Sequence, residues 1–305
     1  MRTTSAVYGV LVTYRRPAEL ATTLQRLSEQ TRPLDTLVVI DNDSDPATKH
    51  LVDSLTTLRE VAYVAAPENL GPAGALALGT SQVLRSADAT DWVMFFDDDD
   101  PPAAADAIER TTTFAERMRV SDPALAGVGI VGARFDIRTG LTVRVPDDEL
   151  GGPVAVDYVG GGQLPCYLAG AMADVGLPDA RLFFGFDDLE YGLRLRAAGY
   201  KLYVDGDEWA TLRSARGRTG LDHRPSKQVR PVGWRDYYST RNLVWILRSR
   251  GRHVAAARFM AVRIVGKAAY NVTRSPRLAS SHLRLGVRAG VDAYRGRMGR
   301  TVEPG

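Results

Sequence analysis

The chain has 305 residues, of which 45% are hydrophobic and 25% are charged, the size and composition of an ordinary globular protein with one large domain and a smaller appendage. Its one cysteine, Cys166, excludes an intrachain disulfide and fits a reducing compartment. No apolar stretch reaches the roughly 18 residues of a transmembrane helix, and the start of the chain does not resemble a signal peptide, so we expect a cytoplasmic protein.

The net charge of +3 is unevenly distributed along the chain. Residues 235–305 contain 15 arginines and lysines and three acidic residues, a net charge of +12, which leaves −9 for the first 234 residues. Within this tail, apolar and basic residues alternate between Arg258 and Lys267. The pattern predicts peripheral contact with the anionic inner face of the cell membrane, the alternative being a solvated helical cap on the domain.

The first hundred residues alternate between strand and helix patterns. Nearly continuous apolar runs are typical of strands buried on both faces, and leucines at helical spacing indicate helices with one apolar face. This alternation predicts right-handed βαβ units in an α/β fold with a mostly parallel, Rossmann-like sheet flanked by helices. In chain order, we predict a strand at 6–13, a helix at 17–30, strands at 36–40 and 61–65, a helix at 72–84, and a strand at 92–96.

The pattern changes after these elements. We predict a strand at 127–135, a hairpin at 136–145 around Thr139 and Gly140, and a helix at 188–198 that ends at Gly199. From Trp234 onward the sequence predicts basic helices.

Polar residues follow three of the first four predicted strands, at positions 13–15, 41–43 and 97–100. Ligands of open parallel sheets bind at the carboxyl ends of the strands. The last of these groups is a run of four aspartates. Asp100 before Pro101 and Pro102 suits a helix N-cap, but the mutual repulsion of Asp97, Asp98 and Asp99 favours a bound divalent cation.

Four further segments accompany the triple aspartate. They are Thr-Tyr-Arg-Arg-Pro at 13–17, Val-Val-Ile-Asp-Asn-Asp-Ser at 38–44, Asn-Leu-Gly-Pro-Ala-Gly at 69–74, and Phe-Phe-Gly-Phe-Asp-Asp-Leu-Glu-Tyr-Gly-Leu-Arg-Leu-Arg-Ala-Ala-Gly-Tyr at 183–200. In their order and spacing, over about residues 5–205, they resemble family 2 glycosyltransferases. The resemblance implies a GT-A fold, with a nucleotide-sugar-binding and catalytic domain at 1–215 and a basic helical region at 216–305.

The resemblance also implies a binding site for a nucleotide-sugar donor. Asp41 would accept the imide N–H of uracil or thymine, the alternative being a turn residue. Asn69 and Gly71 would shape a loop over the base, the alternative being a plain helix entry before Pro72. The implied donor-binding residues are Thr13, Tyr14, Arg15, Asp41, Asn69, Gly71, Asp97 and Asp98.

A divalent metal, Mn²⁺ or Mg²⁺, is implied by the same resemblance, because the aspartate run is similar to the DXD-type motif of the family. Asp99 would be the principal metal ligand, with Asp97 touching the metal or the ribose. The family often has a histidine ligand downstream of its catalytic acidic pair, where this sequence has none. His223 is the nearest substitute, unless it is a histidine of a surface loop.

Asp187 and Asp188 occupy the positions of the catalytic acidic pair in the family. A single displacement with inversion needs one carboxylate to accept the proton of the attacking hydroxyl. We expect Asp188 to be this base, because a helix N-terminus favours its anionic form. The alternative for either residue is a helix N-cap.

Within the family, the sequence most resembles bacterial galactofuranosyltransferases, with rhamnosyltransferases of cell-wall biosynthesis close behind. The resemblance implies transfer from UDP-galactofuranose, or alternatively from dTDP-rhamnose, to a hydroxyl of a glycan or a lipid-linked acceptor. Arg241, in the segment Tyr-Tyr-Ser-Thr-Arg-Asn at 237–242, would contact the donor diphosphate, with a packing role or a surface ion pair as alternatives.

Two other classes of protein remain as alternatives. A sugar nucleotidyltransferase would need a glycine-rich loop with a lysine after the first strand, which residues 13–17 lack. An inactive, membrane-binding transferase-like protein is the non-enzymatic alternative. We expect no nucleic-acid partner, because the first 234 residues are acidic and the tail lacks clustered aromatic residues.

Overall fold

The structure is a computed structural model that describes residues 5–55, 57–160, 164–220, 233–266, 272 and 276–304. The predicted metal ligand His223 lies outside these residues.

The described residues form eleven strands in two sheets, and the first four strands lie within two residues of their predicted bounds. In chain order the strands are Val7–Thr13 (β1), Thr36–Asp41 (β2), Val61–Ala65 (β3), Trp92–Asp97 (β4), Leu125–Gly129 (β5), Gly132–Asp136 (β6), Leu141–Val143 (β7), Pro153–Val156 (β8), Tyr158–Val159 (β9), Cys166–Leu168 (β10) and Lys201–Asp205 (β11).

The larger sheet has eight strands in the order β3-β2-β1-β4-β10-β5-β11-β8. Strands β1 to β4 pair in parallel, whereas β10 runs antiparallel between β4 and β5. The smaller sheet is antiparallel, in the order β7-β6-β9. The predicted α/β fold with a mostly parallel sheet is confirmed.

One predicted strand, at 127–135, was wrong. The chain bends between β5 and β6, so that β5 pairs in the larger sheet and β6 in the smaller one. Both halves are apolar, and the apolar pattern alone does not indicate where a strand changes sheets. The predicted hairpin is present as β6 and β7, with Gly140 at a φ of 71° in its turn.

The helices flank the larger sheet and extend beyond it at the C-terminal end of the chain. The described helices are Pro17–Ser28 (α1), Pro46–Asp53 (α2), Gly71–Val83 (α3), Ala107–Ser121 (α4), Ala169–Val175 (α5), Asp187–Ala197 (α6), Gly206–Ala215 (α7), Trp234–Ser249 (α8), His253–Met260 (α9) and Pro276–Arg295 (α10).

Strand β1 lies at the centre of the core, and all seven of its residues are buried. Val10 belongs to the cluster on one face, with residues of α3, and Leu11 to the cluster on the other, with residues of α1 and α4. A Cβ atom at Gly79 of α3 would lie 2.3 Å from the Val10 side chain, so glycine lets this helix approach the sheet closely. Burial of each such aliphatic side chain contributes about 1.5–3 kcal/mol and fixes the strand ends in space.

The helices after Trp234 form a layer of their own. The Tyr237 hydroxyl in α8 donates to Asp292 in α10 at 2.7 Å, and Arg248 donates to the carbonyl of Ala293 at 3.0 Å. The division of the chain at residue 215 stays a prediction. Among the described helices, none combines the length and the apolar character that crossing a membrane requires.

Candidate active site

A cavity of about 620 Å³ opens at the carboxyl ends of β1, β2 and β4. The N-terminal end of α6 and the first turn of α8 line its opposite side. Nine of the predicted site residues line it, which are Thr13, Tyr14, Asn69, Gly71, Asp97, Asp98, Asp99, Asp187 and Asp188.

Asp98, which follows β4, is hydrogen-bonded to the end of β1 and to the loop after it. Its Oδ2 atom accepts hydrogen bonds from the Thr13 hydroxyl at 2.9 Å and the Tyr14 backbone N–H at 3.3 Å. Arg16 donates to its Oδ1 atom at 3.3 Å, and Thr23 donates to its carbonyl at 2.7 Å. Burial raises the pKa of Asp98, and the hydrogen bond from Thr13 opposes this shift. Both carboxylate oxygens of Asp98 are therefore engaged within the protein.

The two adjacent arginines after β1 lie on different sides of the chain. Arg15 adopts a φ of 57°, is exposed, and pairs with Asp43 at 3.0 Å. It does not line the cavity, contrary to the predicted nucleotide contact. Arg16 lines the cavity instead and forms ion pairs with Asp98 and Asp99. Arg16 was not predicted as a site residue, because two neighbouring arginines cannot be assigned to sides without the backbone conformation.

Asp97 carries the most strongly perturbed carboxylate at the cavity. Burial, followed by the negative charge of Asp187 and then of the other aspartates, raises the pKa of Asp97 to about 7. No described residue donates a hydrogen bond to its side chain. A buried carboxylate beside like charges is relieved by a cation, so Asp97 fits a hard divalent ion.

Asp99 would complete a metal site only by exchanging its present partner, Arg16, for the ion. The described residues contain no preformed cluster of three or more histidine, cysteine or acidic side chains with metal-binding geometry. The chemistry of Asp97 and Asp99 fits a divalent metal, and the third ligand stays unassigned.

Asp41 is fully buried and does not line the cavity. Its oxygens accept hydrogen bonds from the backbone N–H groups of Asp43 at 2.9 Å and Asp45 at 2.8 Å, and from the Tyr63 hydroxyl at 2.8 Å. The predicted contact with the base is therefore absent from this conformation, and the alternative, a turn residue, describes Asp41. The neighbouring Asn42 lines the cavity instead.

The loop with Asn69 and Gly71 leads into α3 and also lines the cavity. The Asn69 side chain accepts a hydrogen bond from the backbone N–H of Gly71 at 2.9 Å. Gly71 has a φ of 67°, and a Cβ atom there would lie 2.2 Å from the carbonyl oxygen of Phe183. Glycine is required because this loop abuts the segment that leads to the acidic pair.

The segment before α6 has an unusual backbone. Phe183 and Phe186 have φ values of 62° and 63°, a region that costs of order 1–3 kcal/mol for residues other than glycine. Burial raises the pKa of Asp187, opposed by the backbone N–H groups of Asp187 and Gly185. Asp188 accepts a hydrogen bond from the backbone N–H of Leu189 at 2.7 Å. Both carboxylates therefore lie at the N-terminus of α6, on the cavity.

Two buried residues of α8 hold this segment in place. Asn242 donates to the carbonyls of Leu182 at 2.9 Å, Phe184 at 2.9 Å and Gly185 at 2.8 Å. Arg241 donates to the carbonyl of Leu182 at 2.8 Å. Arg241 has no exposed surface and does not line the cavity, so in this structure it has the packing role and does not make the predicted diphosphate contact.

Aromatic residues line the cavity beside the acidic pair, and the sequence analysis did not identify them. Tyr167 lies between Phe95 and Tyr191, with ring centroids 5.4 Å apart in each pair. The buried hydroxyl of Tyr191 has no hydrogen-bond partner among the described residues. Trp234 of α8 also lines the cavity. Tyr191 lies three residues after Asp188 in sequence, but Tyr167 and Trp234 are brought to the site only by the fold.

Comparison with known proteins identifies the family. Residues 10–142 match the sequence profile of glycosyl transferase family 2. The chain is 33% identical to galactofuranosyltransferase GlfT1 of Mycobacterium tuberculosis over 207 residues, 64% of this chain and 66% of the relative. It is 31% identical to GlfT1 of Mycolicibacterium smegmatis over 211 residues, 65% of this chain and 68% of the relative. The match thus spans just under two thirds of the M. tuberculosis protein.

Solved structures share the fold at low sequence identity. A mannosyltransferase of Pyrobaculum calidifontis in complex with GDP-Man and Mn²⁺ aligns with a TM-score of 0.55 at 17% identity, over 97% of this chain and 89% of its own. GalNAc-T7 with UDP, GalNAc and Mn²⁺ aligns with a TM-score of 0.60 at 13% identity, over 94% of this chain and 57% of its own. These likenesses show the GT-A fold.

Proposed function

Because the chain belongs to glycosyl transferase family 2, we propose that it is an inverting, divalent-metal-dependent galactofuranosyltransferase. It would move galactofuranose from UDP-galactofuranose to a hydroxyl of a glycan or a lipid-linked acceptor. The galactofuranosyltransferases to which it is 31–33% identical support this sugar over rhamnose.

The observation that carries the proposal is the pairing of two acidic groups across one cavity. Asp97 comes from the end of β4 and Asp187 from the start of α6, and the charge of Asp187 acts on the Asp97 carboxylate. The cavity volume of about 620 Å³ lies within the usual range for small-molecule sites. The acids on the β4 side would bind the metal and, through it, the donor phosphates. The acids on the α6 side would face the acceptor hydroxyl that is deprotonated.

Asp97 and Asp99 would hold Mn²⁺ or Mg²⁺, and the metal would neutralise the leaving nucleoside diphosphate. The Mn²⁺ in the structures of the fold relatives supports this choice of ion. Arg16, freed from Asp99, would remain within reach of the same phosphates. The uridine would lie against the β1 and β2 ends, where Thr13, Tyr14 and Asn42 line the cavity.

Asp188 is the proposed base. Its carboxylate would accept the proton of the acceptor hydroxyl as the new glycosidic bond forms and the bond to UDP breaks. Asp187, whose carboxylate accepts hydrogen bonds from the backbone N–H groups of Gly185 and Asp187, would position the N-terminus of α6. A displacement with no covalent intermediate gives a product of inverted anomeric configuration.

Thermal shift with a panel of nucleotide sugars tests the donor and the metal together, because a bound ligand stabilises the folded state. UDP-galactofuranose with Mn²⁺ should raise Tm more than dTDP-rhamnose or GDP-mannose does. Asp99→Ala should abolish the Mn²⁺-dependent part of this shift. Asp43→Ala is the matched control, because Asp43 pairs with Arg15 outside the cavity.

A larger shift with dTDP-rhamnose would replace the proposed donor by the rhamnosyl alternative. Equal shifts with and without Mn²⁺ in the parent protein would contradict metal dependence. Release of pyrophosphate instead of UDP would mean that the protein is a nucleotidyltransferase.

A further inference from the structure

Helix α10 presents a row of exposed apolar side chains. Leu283, Val287, Val291 and Tyr294 are 45%, 47%, 40% and 42% exposed. Their spacing of four, four and three residues places them on one face of the helix. The opposite face packs on α8 and on the short π-helix Ala261–Gly266, and Ala289 and Ala293 are fully buried there.

A row of arginines runs beside the apolar row. Arg284, Arg288 and Arg295 each follow one apolar residue directly, which places them about 100° further around the helix. All three are exposed, as is Arg277, which lies two helical turns before Arg284. This border of cations lies in the part of the chain that carries a net charge of +12. Apolar side chains bordered by arginines are complementary to an anionic lipid surface.

The apolar row lies close to the candidate active site along the chain. A shallow groove of about 600 Å³ runs over Leu283, Val287 and Val291 to Thr301. Three residues later, Pro304 lines the cavity of the active site. Three residues span at most about 10 Å, and the Tyr238 hydroxyl holds this segment by donating to the carbonyl of Val302 at 2.7 Å.

We propose that the exposed face of α10 binds an anionic membrane surface. This inference goes beyond the proposed transferase activity. Residues 301–304 run from the groove beside this face to the cavity, so membrane binding would place the cavity close to the lipid surface. A second copy of the chain fits the face less well, because the two arginine rows would meet like charges.

This surface lies in the basic tail for which membrane contact was predicted, but outside the stretch at 258–267 on which that prediction was based. Ile264 in that stretch is only 5% exposed, and Arg263 pairs with Asp236 at 3.5 Å. Part of that stretch is therefore buried, or paired with another residue of the protein, and is not available to a membrane. Val262 is 66% exposed and could add to the contact made by α10.

Vesicle sedimentation tests the surface directly. The protein should pellet with vesicles of phosphatidylcholine and phosphatidylglycerol, less with pure phosphatidylcholine, and less at high salt. The double variant Leu283→Asp/Val287→Asp should bind the anionic vesicles about tenfold or more weakly. Val120→Asp is the matched control, because Val120 is an exposed valine of α4, far from α10 in sequence, and should bind as the parent does.

Absence of binding by the parent, or equal binding by the double variant, would overturn the proposal. So would gel filtration showing a dimer that the double variant converts to a monomer. Stabilisation by UDP with Mn²⁺, measured on the same variant, separates this result from the transferase proposal. If UDP still stabilises the double variant while vesicle binding is lost, the membrane surface and the donor site are independent, as expected.

Discussion

The two walls of the cavity are built in different ways. On the wall proposed to bind the donor (the donor wall), Thr13 and Asp97 end adjacent parallel strands of one sheet, and Thr13 donates to Asp98, the residue after β4. On the wall proposed to carry the base (the catalytic wall), the segment that leads to Asp187 and Asp188 is held by Asn242, which lies 57–60 residues further along the chain. The donor wall is thus positioned by the core, and the catalytic wall by a few long-range hydrogen bonds.

This difference has an energetic reason. A strand end is fixed by the burial of its whole strand, as for β1, in which every residue is buried. The catalytic segment instead carries strained backbone at Phe183 and Phe186, which persists only where surrounding contacts over-determine it. The two walls should therefore respond differently to mutation: the donor wall through ligand binding, and the catalytic wall through turnover and stability.

The largest effect is expected at the proposed base. Asp188→Asn preserves the size of the side chain but cannot accept a proton, so turnover should fall by about 10² to 10⁴. Donor binding, measured as the Tm shift with UDP and Mn²⁺, should change little, because the donor wall is intact. The anomeric configuration of the product, determined by NMR, should be opposite to that of the donor.

Asp187→Asn is the control for this assignment. A loss of turnover confined to Asp187→Asn would keep the mechanism and move the base by one residue. Retention of configuration, or near-normal turnover in both variants, would contradict the single-displacement mechanism.

A smaller effect is expected from removing the anchor of the catalytic wall. Asn242→Leu preserves the shape but leaves the carbonyls of Phe184 and Gly185 without their donor, at a cost of about 2–3 kcal/mol in the free energy of unfolding. The carbonyl of Leu182 keeps the hydrogen bond from Arg241. Urea denaturation measures this loss. Turnover should fall while the UDP-induced Tm shift is retained.

Thr240→Val is matched to this variant, because buried Thr240 bonds only to the carbonyl of Asp236 in its own helix. It should lower stability by less than about 1 kcal/mol and leave turnover unchanged. If Asn242→Leu weakened UDP binding as much as turnover, the two walls would not be independent.

A third effect concerns the pKa of Asp97, which is raised to about 7 in the folded protein from 3.8. Between these values the folded state binds a proton that the unfolded state does not, so metal-free stability should fall as pH rises through this window. The slope is at most about 1.4 kcal/mol per pH unit. Above about pH 7, Asp97→Asn should therefore be more stable than the parent in EDTA, and the difference should vanish near pH 4.

Thermal melts of both proteins in EDTA at pH 5.5 and pH 8 measure this difference. Addition of Mn²⁺ at pH 8 should stabilise the parent and not the variant. If the variant is less stable than the parent at pH 8, the pKa of Asp97 is not raised in the folded protein.

The sequence by itself determined the family, the α/β fold and the strand ends that line the cavity. Apolar runs that end in polar residues indicate both the strands and their carboxyl ends, so Thr13, Asp97 and Asp99 could be found without coordinates. The helix α6 was predicted to within one residue because its leucine spacing and terminal Gly199 are local signals.

Only the tertiary structure decided which neighbouring side chain faces the cavity. Arg16 rather than Arg15, and Asn42 rather than Asp41, line it, because a positive φ at Arg15 and a turn closed on the Asp41 carboxylate set these directions. The burial of Arg241 likewise depends on contacts with residues about 60 positions away. Such directions follow from long-range packing, which periodicity and motif spacing do not encode.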